Sequence, residues 1–141
     1  MIIQRLMLAA VFCAVMGSAA FAHGSIAIGE PDDVAKDGVA VGYTWNYPSA
    51  GEAEAAALKQ CLSYMDAPDS TRALCKIVET FSNKCYAISL DPAAGTEGFG
   101  WAVAADQQEA SDSALQKCRD SDGADHADAC VVSNEKCDIT K

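Results

Sequence analysis

One ten-residue segment is written twice in this chain. Glu52–Cys61 reads EAEAAALKQC and Glu109–Cys118 reads EASDSALQKC, with five of the ten positions identical. In the first copy Ala53, Ala57 and Cys61 recur at i, i+4 and i+8 beside Leu58; in the second Ala110, Ala114 and Cys118 do so beside Leu115. That is one apolar stripe at helical period. Each copy is preceded by a capping box, Ser49 with Glu52 and Asp106 with Glu109, in which a side-chain acceptor and a glutamate three residues on satisfy the first free N–H groups. The spacing predicts two capped helices, each lying close on a sheet through its alanines and ending in an inward-facing cysteine. Capping accounts for Glu52 and Glu109 without a catalytic role.

The similarity extends to both sides. Ser25–Ile28 and 38–45 precede the first helix; Tyr86–Leu90 and 98–104 precede the second. Each pair is a short alternating run, a Gly/Pro/Asp-rich loop and a second run containing tryptophan, the pattern of a β-hairpin. Downstream, the segments beginning at Cys75 and Cys130 read as strands, and Cys85 and Cys137 each open one more, Cys137 starting a closing strand. The expected fold class is α+β: a small disulfide-stapled domain with antiparallel sheet and two helices. A strand–strand–helix–strand unit is duplicated in it about a pseudo-twofold, approximately over 24–84 and 85–141.

The first 22 residues form a predicted secretory signal peptide. Arg5 precedes an apolar run over Leu6–Met16, and Ala20-Phe21-Ala22 presents small residues where a signal peptidase cuts. The run is too short for a membrane span. The mature protein is expected to start at His23, as a single domain over 23–141, periplasmic or secreted. Losing the leader removes Cys13, so seven cysteines become six, and removes Arg5, so the net charge of −10 becomes −11. An even cysteine count in a short exported chain reads as disulfides. Six cysteines allow fifteen connectivities, which geometry narrows. A helix antiparallel to its following strand brings its C-terminus to that strand's start, so Cys61 meets Cys75 and Cys118 meets Cys130, within the roughly 7 Å between Cα atoms that a bridge requires. Cys85 and Cys137 remain, equivalent under the pseudo-twofold, and are expected to pair across the two halves.

The acidic balance argues against nucleic acid or an anionic membrane as partner and permits a basic one. No second apolar run approaches membrane length, so no membrane insertion is expected of the mature form. Candidate chemistry is sparse. His23 would be an N-terminal histidine able to chelate copper with His126 as second ligand, set against a plain chain end. Asp120, Asp122, Asp125 and Asp128 crowd one acidic stretch with Gly123, a fragment of calcium-loop patterns that lacks the closing glutamate and reads more readily as a solvated turn, which leaves them weak candidates for a metal. No nucleophile elbow is present, and all six mature cysteines are committed to bridges. Tyr43, Trp45, Tyr47 and Trp101 could line a ligand surface or the core. No cofactor is expected.

His23–Gly29, the Tyr43–Ser49 segment ahead of Glu52–Cys61, Cys75–Cys85 and Gly100–Val103 together resemble the bacterial exported proteins grouped as the domain of unknown function 4189. The resemblance covers nearly all of the mature chain, most specifically in its tryptophan–helix–Leu-x-x-Cys arrangement. It implies a small exported, cysteine-containing domain with no catalytic residues to carry over. The expected role is a non-catalytic interaction module whose partner is another exported protein. The alternatives are an inhibitor or immunity-type protein against a basic cell-wall hydrolase or toxin, and a secreted enzyme or copper-binding protein.

Overall fold

Both helices are capped at the N-terminus by the expected side chain. Ser49 Oγ accepts from Glu52 N at 3.3 Å and donates to Glu52 Oε2 at 2.7 Å, while Asp106 Oδ1 accepts from Glu109 N at 2.9 Å. A computed structural model describes residues 22–138; the leader over 1–21 and residues 139–141, which include most of the expected closing strand, lie outside them. In chain order the elements are β1 (His23–Gly29), α1 (Val34–Asp37), β2 (Ala40–Tyr47), α2 (Ala50–Leu62), α3 (Asp69–Arg72), β3 (Lys76–Ser82), β4 (Cys85–Leu90), β5 (Phe99–Ala104), α4 (Gln107–Asp122), a 3₁₀ turn (Ala127–Ala129) and β6 (Val131–Cys137).

The strands make two antiparallel three-stranded sheets, ordered β2-β1-β3 and β5-β4-β6. They are built on one register. His23 pairs with Ser82 as Cys85 pairs with Cys137, and a bulge interrupts the ladder after Ile26 in one sheet and after Ile88 in the other. Alternation along each strand divides the side chains between two layers. Ile26, Ile28 and Phe81 meet Tyr86, Ile88 and Phe99 in one apolar cluster, so the sheets pack face to face. On its outer side each sheet carries a helix: Ala57 and Cys61 of α2 pack against Ala27 and Ala40, and Ala110 and Ala114 of α4 against Ala87 and Ala102. The close approach has a specific cause. A Cβ at Gly42 of β2 would lie 1.9 Å from Ala57 O, and one at Gly100 of β5 would lie 2.3 Å from Ala114 O. The strand gives up a side chain where the helix backbone crosses it.

Tyr86 fills the middle of the core. It is wholly buried, its ring centroid lies 5.5–6.3 Å from those of Tyr43, Phe81 and Trp45, and its hydroxyl pairs with Asn134 Oδ1 at 2.6 Å.

Disulfides join Cys61 to Cys75, Cys118 to Cys130 and Cys85 to Cys137. The third is placed otherwise than the sequence suggested. It links directly paired residues of β4 and β6 within the second sheet rather than bridging the halves, and Cys137 ends a strand instead of opening one. The register makes Ser82 the counterpart of Cys137 and His23 that of Cys85, so the two cysteines are not equivalents. The acidic stretch also differs from the expected loop, because α4 continues through Asp122 and places Asp120 and Asp122 on its last turn.

Candidate functional site

A cleft of about 590 Å³ opens at one end of the interface between the sheets. That is the size of many small-ligand sites. Its floor is apolar, formed by Val39 and Val41 from one half and Ile88, Leu90 and Phe99 from the other, with Tyr43 and Asn134 deeper in. One wall is α1; the others are the connection through Tyr64, Asp66 and Pro68 and the loop over 91–98 between β4 and β5. Burial, then the Asp66 charge, then Tyr43 raise the Tyr64 phenol above its ordinary range.

Hydrogen bonds brace the walls. Asp91 N donates to Gly98 O at 3.0 Å, closing the β4–β5 loop. Inside it Asp91 Oδ1 accepts from Ala93 N at 2.8 Å and Thr96 Oγ1 donates to Ala93 O at 3.0 Å. Ala35 N donates to Glu97 Oε1 at 3.2 Å, tying α1 to that loop. A loop held by its own bonds loses little further entropy on binding.

Behind the loop lies a pair of carboxyls. Asp91 is 6% exposed and Asp122 9%, and Asp91 Oδ2 and Asp122 Oδ1 have no hydrogen-bond partner among the described residues. Burial, the hydrogen bond to Asp91 and the Asp91 charge raise the Asp122 carboxyl above its ordinary range, against the opposing effects of His126 and the Gly98 amide. Two carboxyls packed this closely favour a proton shared between them and held on Asp122. A Cβ at Gly98 would lie 2.7 Å from Asp122 Cγ and 2.8 Å from Asp91 Cβ, so the pair is packed into the wall and works as a fastener between the β4–β5 loop and α4.

The residues singled out in the sequence are dispersed. Tyr43 lines the cleft. Trp45 and Tyr47 line, with Tyr43 and Gln60, a separate hollow of about 310 Å³ on the flank of β2. Trp101 packs against the core, its ring 4.8 Å below the Lys117 ammonium, which donates to Trp101 O at 2.8 Å. His23 starts β1, whereas His126 precedes the 3₁₀ turn near Asp122. Asp120 accepts from Gln116 Nε2 at 2.8 Å on the exposed face of α4, and Asp125 and Asp128 are exposed. Among the described residues no group of three His, Cys, Asp or Glu side chains is placed to hold a metal ion. Sequence reasoning missed Val39, Leu90, Asp91, Phe99 and Asn134. An aspartate directly after a strand was the available signal for Asp91; the others read as ordinary strand residues.

No curated protein and no solved structure matches the chain. A family model does, over residues 23–137: the domain of unknown function DUF4189. The match takes in both sheets, both long helices and all three disulfides, and the chain belongs to that family.

Proposed function

We propose that this protein is an exported, non-catalytic interaction module that holds a segment of another exported protein in the cleft between its sheets. The observation that carries the reading is the cleft itself, apolar in its floor, built from both halves and braced before any guest arrives. Its surroundings favour a guest with an apolar body and a positive charge, because the carboxylates of Asp37 and Asp66 line it against Lys36 alone, in a chain of net charge −10. Opposite charge steers such a partner inward. Export is supported by the leader pattern and three disulfides. Among the described residues no helix is long and apolar enough to cross a membrane.

The same charge supports a sharper version, an inhibitor or immunity-type protein that occupies a basic hydrolase or toxin. Site-specific photo-crosslinking in the producing cell tests both. A crosslinker at Ala94, an exposed residue of the cleft, should capture an exported protein through a segment bearing Lys or Arg. The same group at Ala55, on the outer face of α2, should not. Equal capture from both positions would refute the cleft as the site. An acidic segment at the Ala94 crosslink would refute the charge reading.

A further inference from the structure

Asp138 follows Cys137 directly, and its side chain is wholly buried. Oδ1 accepts from Asn46 N at 3.1 Å, but Oδ2 has no hydrogen-bond partner among the described residues. The flanking contacts place this carboxyl beside the start of β1. Asn46 adjoins Tyr47, the β2 partner of His23. Asp138 N donates to Lys84 O at 2.8 Å, and the preceding residue, Asn83, donates its N–H to Ala22 O at 3.2 Å. The pseudo-symmetric counterpart of Asp138 is Asn83, a neutral side chain, so the repeat does not itself demand a carboxylate there. A buried carboxyl keeps its charge only when paired. Burial holds Asp138 above the ordinary carboxylate range, opposed by the Asn46 amide and by the charge of His23. The groups set against the carboxyl are thus the Asn46 amide from β2 and His23 from β1.

We propose that the α-ammonium created at His23 when the leader is removed is the partner of Asp138 Oδ2, a buried ion pair that fastens the start of β1 to the end of β6. The proposal rests on export with cleavage after Ala22. Hydrolysis of the Ala22–His23 bond leaves a carboxylate on the departing Ala22 and an amine on His23, which takes a proton at neutral pH. An ammonium carries two more N–H donors than the amide it replaces, so it gains bonding capacity toward a neighbouring carboxylate. Removal of Ala22 also gives up the carbonyl that accepts from Asn83 N, so processing exchanges one backbone hydrogen bond for an ion pair.

The experiment compares proteins that start at His23 with proteins that start at Ala22, each with Asp138 and as D138N. At pH 6 the His23 start should melt several degrees above the Ala22 start. The gap should close as pH rises through the amine's titration, because a charged terminus stabilises only while protonated. D138N should erase the gap; the same gap in D138N, or no gap together with equal labelling rates, overturns the proposal. Amine-reactive labelling gives a second readout in case the lost carbonyl offsets the melting gain. The His23 amine should react at least tenfold more slowly than in D138N, and equal rates overturn the pairing. H23A with the same free start should keep the protection; its loss would assign the imidazole instead and overturn the proposal. The mass of the protein recovered from periplasm or culture fluid checks the processing separately, and a start other than His23 overturns it in the cell while the paired melts still report on the contact.

Discussion

Replacing Gly42 by alanine tests how closely helix and sheet must approach. The added Cβ would lie 1.9 Å from Ala57 O and 2.6 Å from Cys61 N. Both are helix backbone atoms and cannot swing away as a side-chain tip would. Restoring the 3.0 Å that real Cβ atoms respect requires α2 to retreat by about 1.1 Å. That loosens the packing of Ala57 and Cys61 on β1 and β2. Overpacking of this kind costs roughly 1–3 kcal/mol, and we expect the upper end, about 3 kcal/mol, because rigid groups are displaced. For a domain of this size that lowers Tm by about 10–15 °C. Gly100→Ala presses less deeply, 2.3 Å from Ala114 O, and should cost about 2 kcal/mol. Gly51→Ala is the control: it lies in the first turn of α2 with open space around it and should stabilise by about 0.5–1 kcal/mol through helix propensity. Thermal melts by circular dichroism, with urea titration for the free energies, would decide the order. A Gly42→Ala protein melting within about 2 °C of the parent would refute the claim that these glycines set the helix–sheet distance.

The bridges should differ in worth by loop length. Cys85–Cys137 closes 52 residues against 14 and 12 for the other two, so its paired serine replacement should lose about 4 kcal/mol and each of the others about 3; equal losses in urea titration would refute the chain-entropy account. Asp122 is raised, so the folded state keeps a proton that the unfolded state releases above the ordinary carboxylate value. Stability therefore declines as pH rises through that window. Asp122→Asn, which cannot titrate and still donates to Asp91, should show a flatter Tm between pH 4 and 7 and a higher Tm at pH 7; parallel profiles would count against the shared proton. Tyr86→Phe loses only the bond to Asn134 and should cost about 1 kcal/mol, whereas Tyr86→Ala should cost about 3–5 kcal/mol; near-equal losses in denaturant titration would contradict a ring-filled core.

What the sequence disclosed follows from the range over which each signal acts. The helices and their caps are local: Ser49 to Glu52 and Ala53 to Cys61 are decided within four turns, and period and cap fix them together. The two bridges at the helix ends were legible for the same reason, since a helix and its following strand share an end. Cys137 was not, because a short polar strand has no internal mark distinguishing its first residue from its last; the ladder to Cys85 decides that, and it runs across 52 residues. The glycines at 42 and 100 showed only an absent side chain, and the helix backbone that fills the space comes from elsewhere in the chain. The cleft was the least legible feature. Val39 and Leu90 are ordinary strand-end residues until two sheets face each other.

The departures from symmetry locate what the repeat does not explain. At the centre of the interface the register sets Gly24 opposite the role of Tyr86. A Cβ at Gly24 would lie 2.3 Å from the Phe81 ring, so the first copy covers this position with its own Phe81 where the second places a whole phenol, and the halves are no longer interchangeable. Once the centre is asymmetric, the connections are free to diverge. The first half inserts α1 between its hairpin strands and the residues through Tyr64, Asp66 and Pro68 between α2 and α3, whereas the second has the braced loop over 91–98 and a single 3₁₀ turn. Of these unlike connections, α1, the residues through Tyr64, Asp66 and Pro68 and the loop over 91–98 wall the cleft. The duplicated parts, from the capped helices to the glycine crossings, set a frame. The proposed binding surface is assembled from the parts in which the two copies differ, so substitutions at the exposed Asp66 should alter partner capture at Ala94 while leaving the melting behaviour set by Gly42 and Gly100 unchanged.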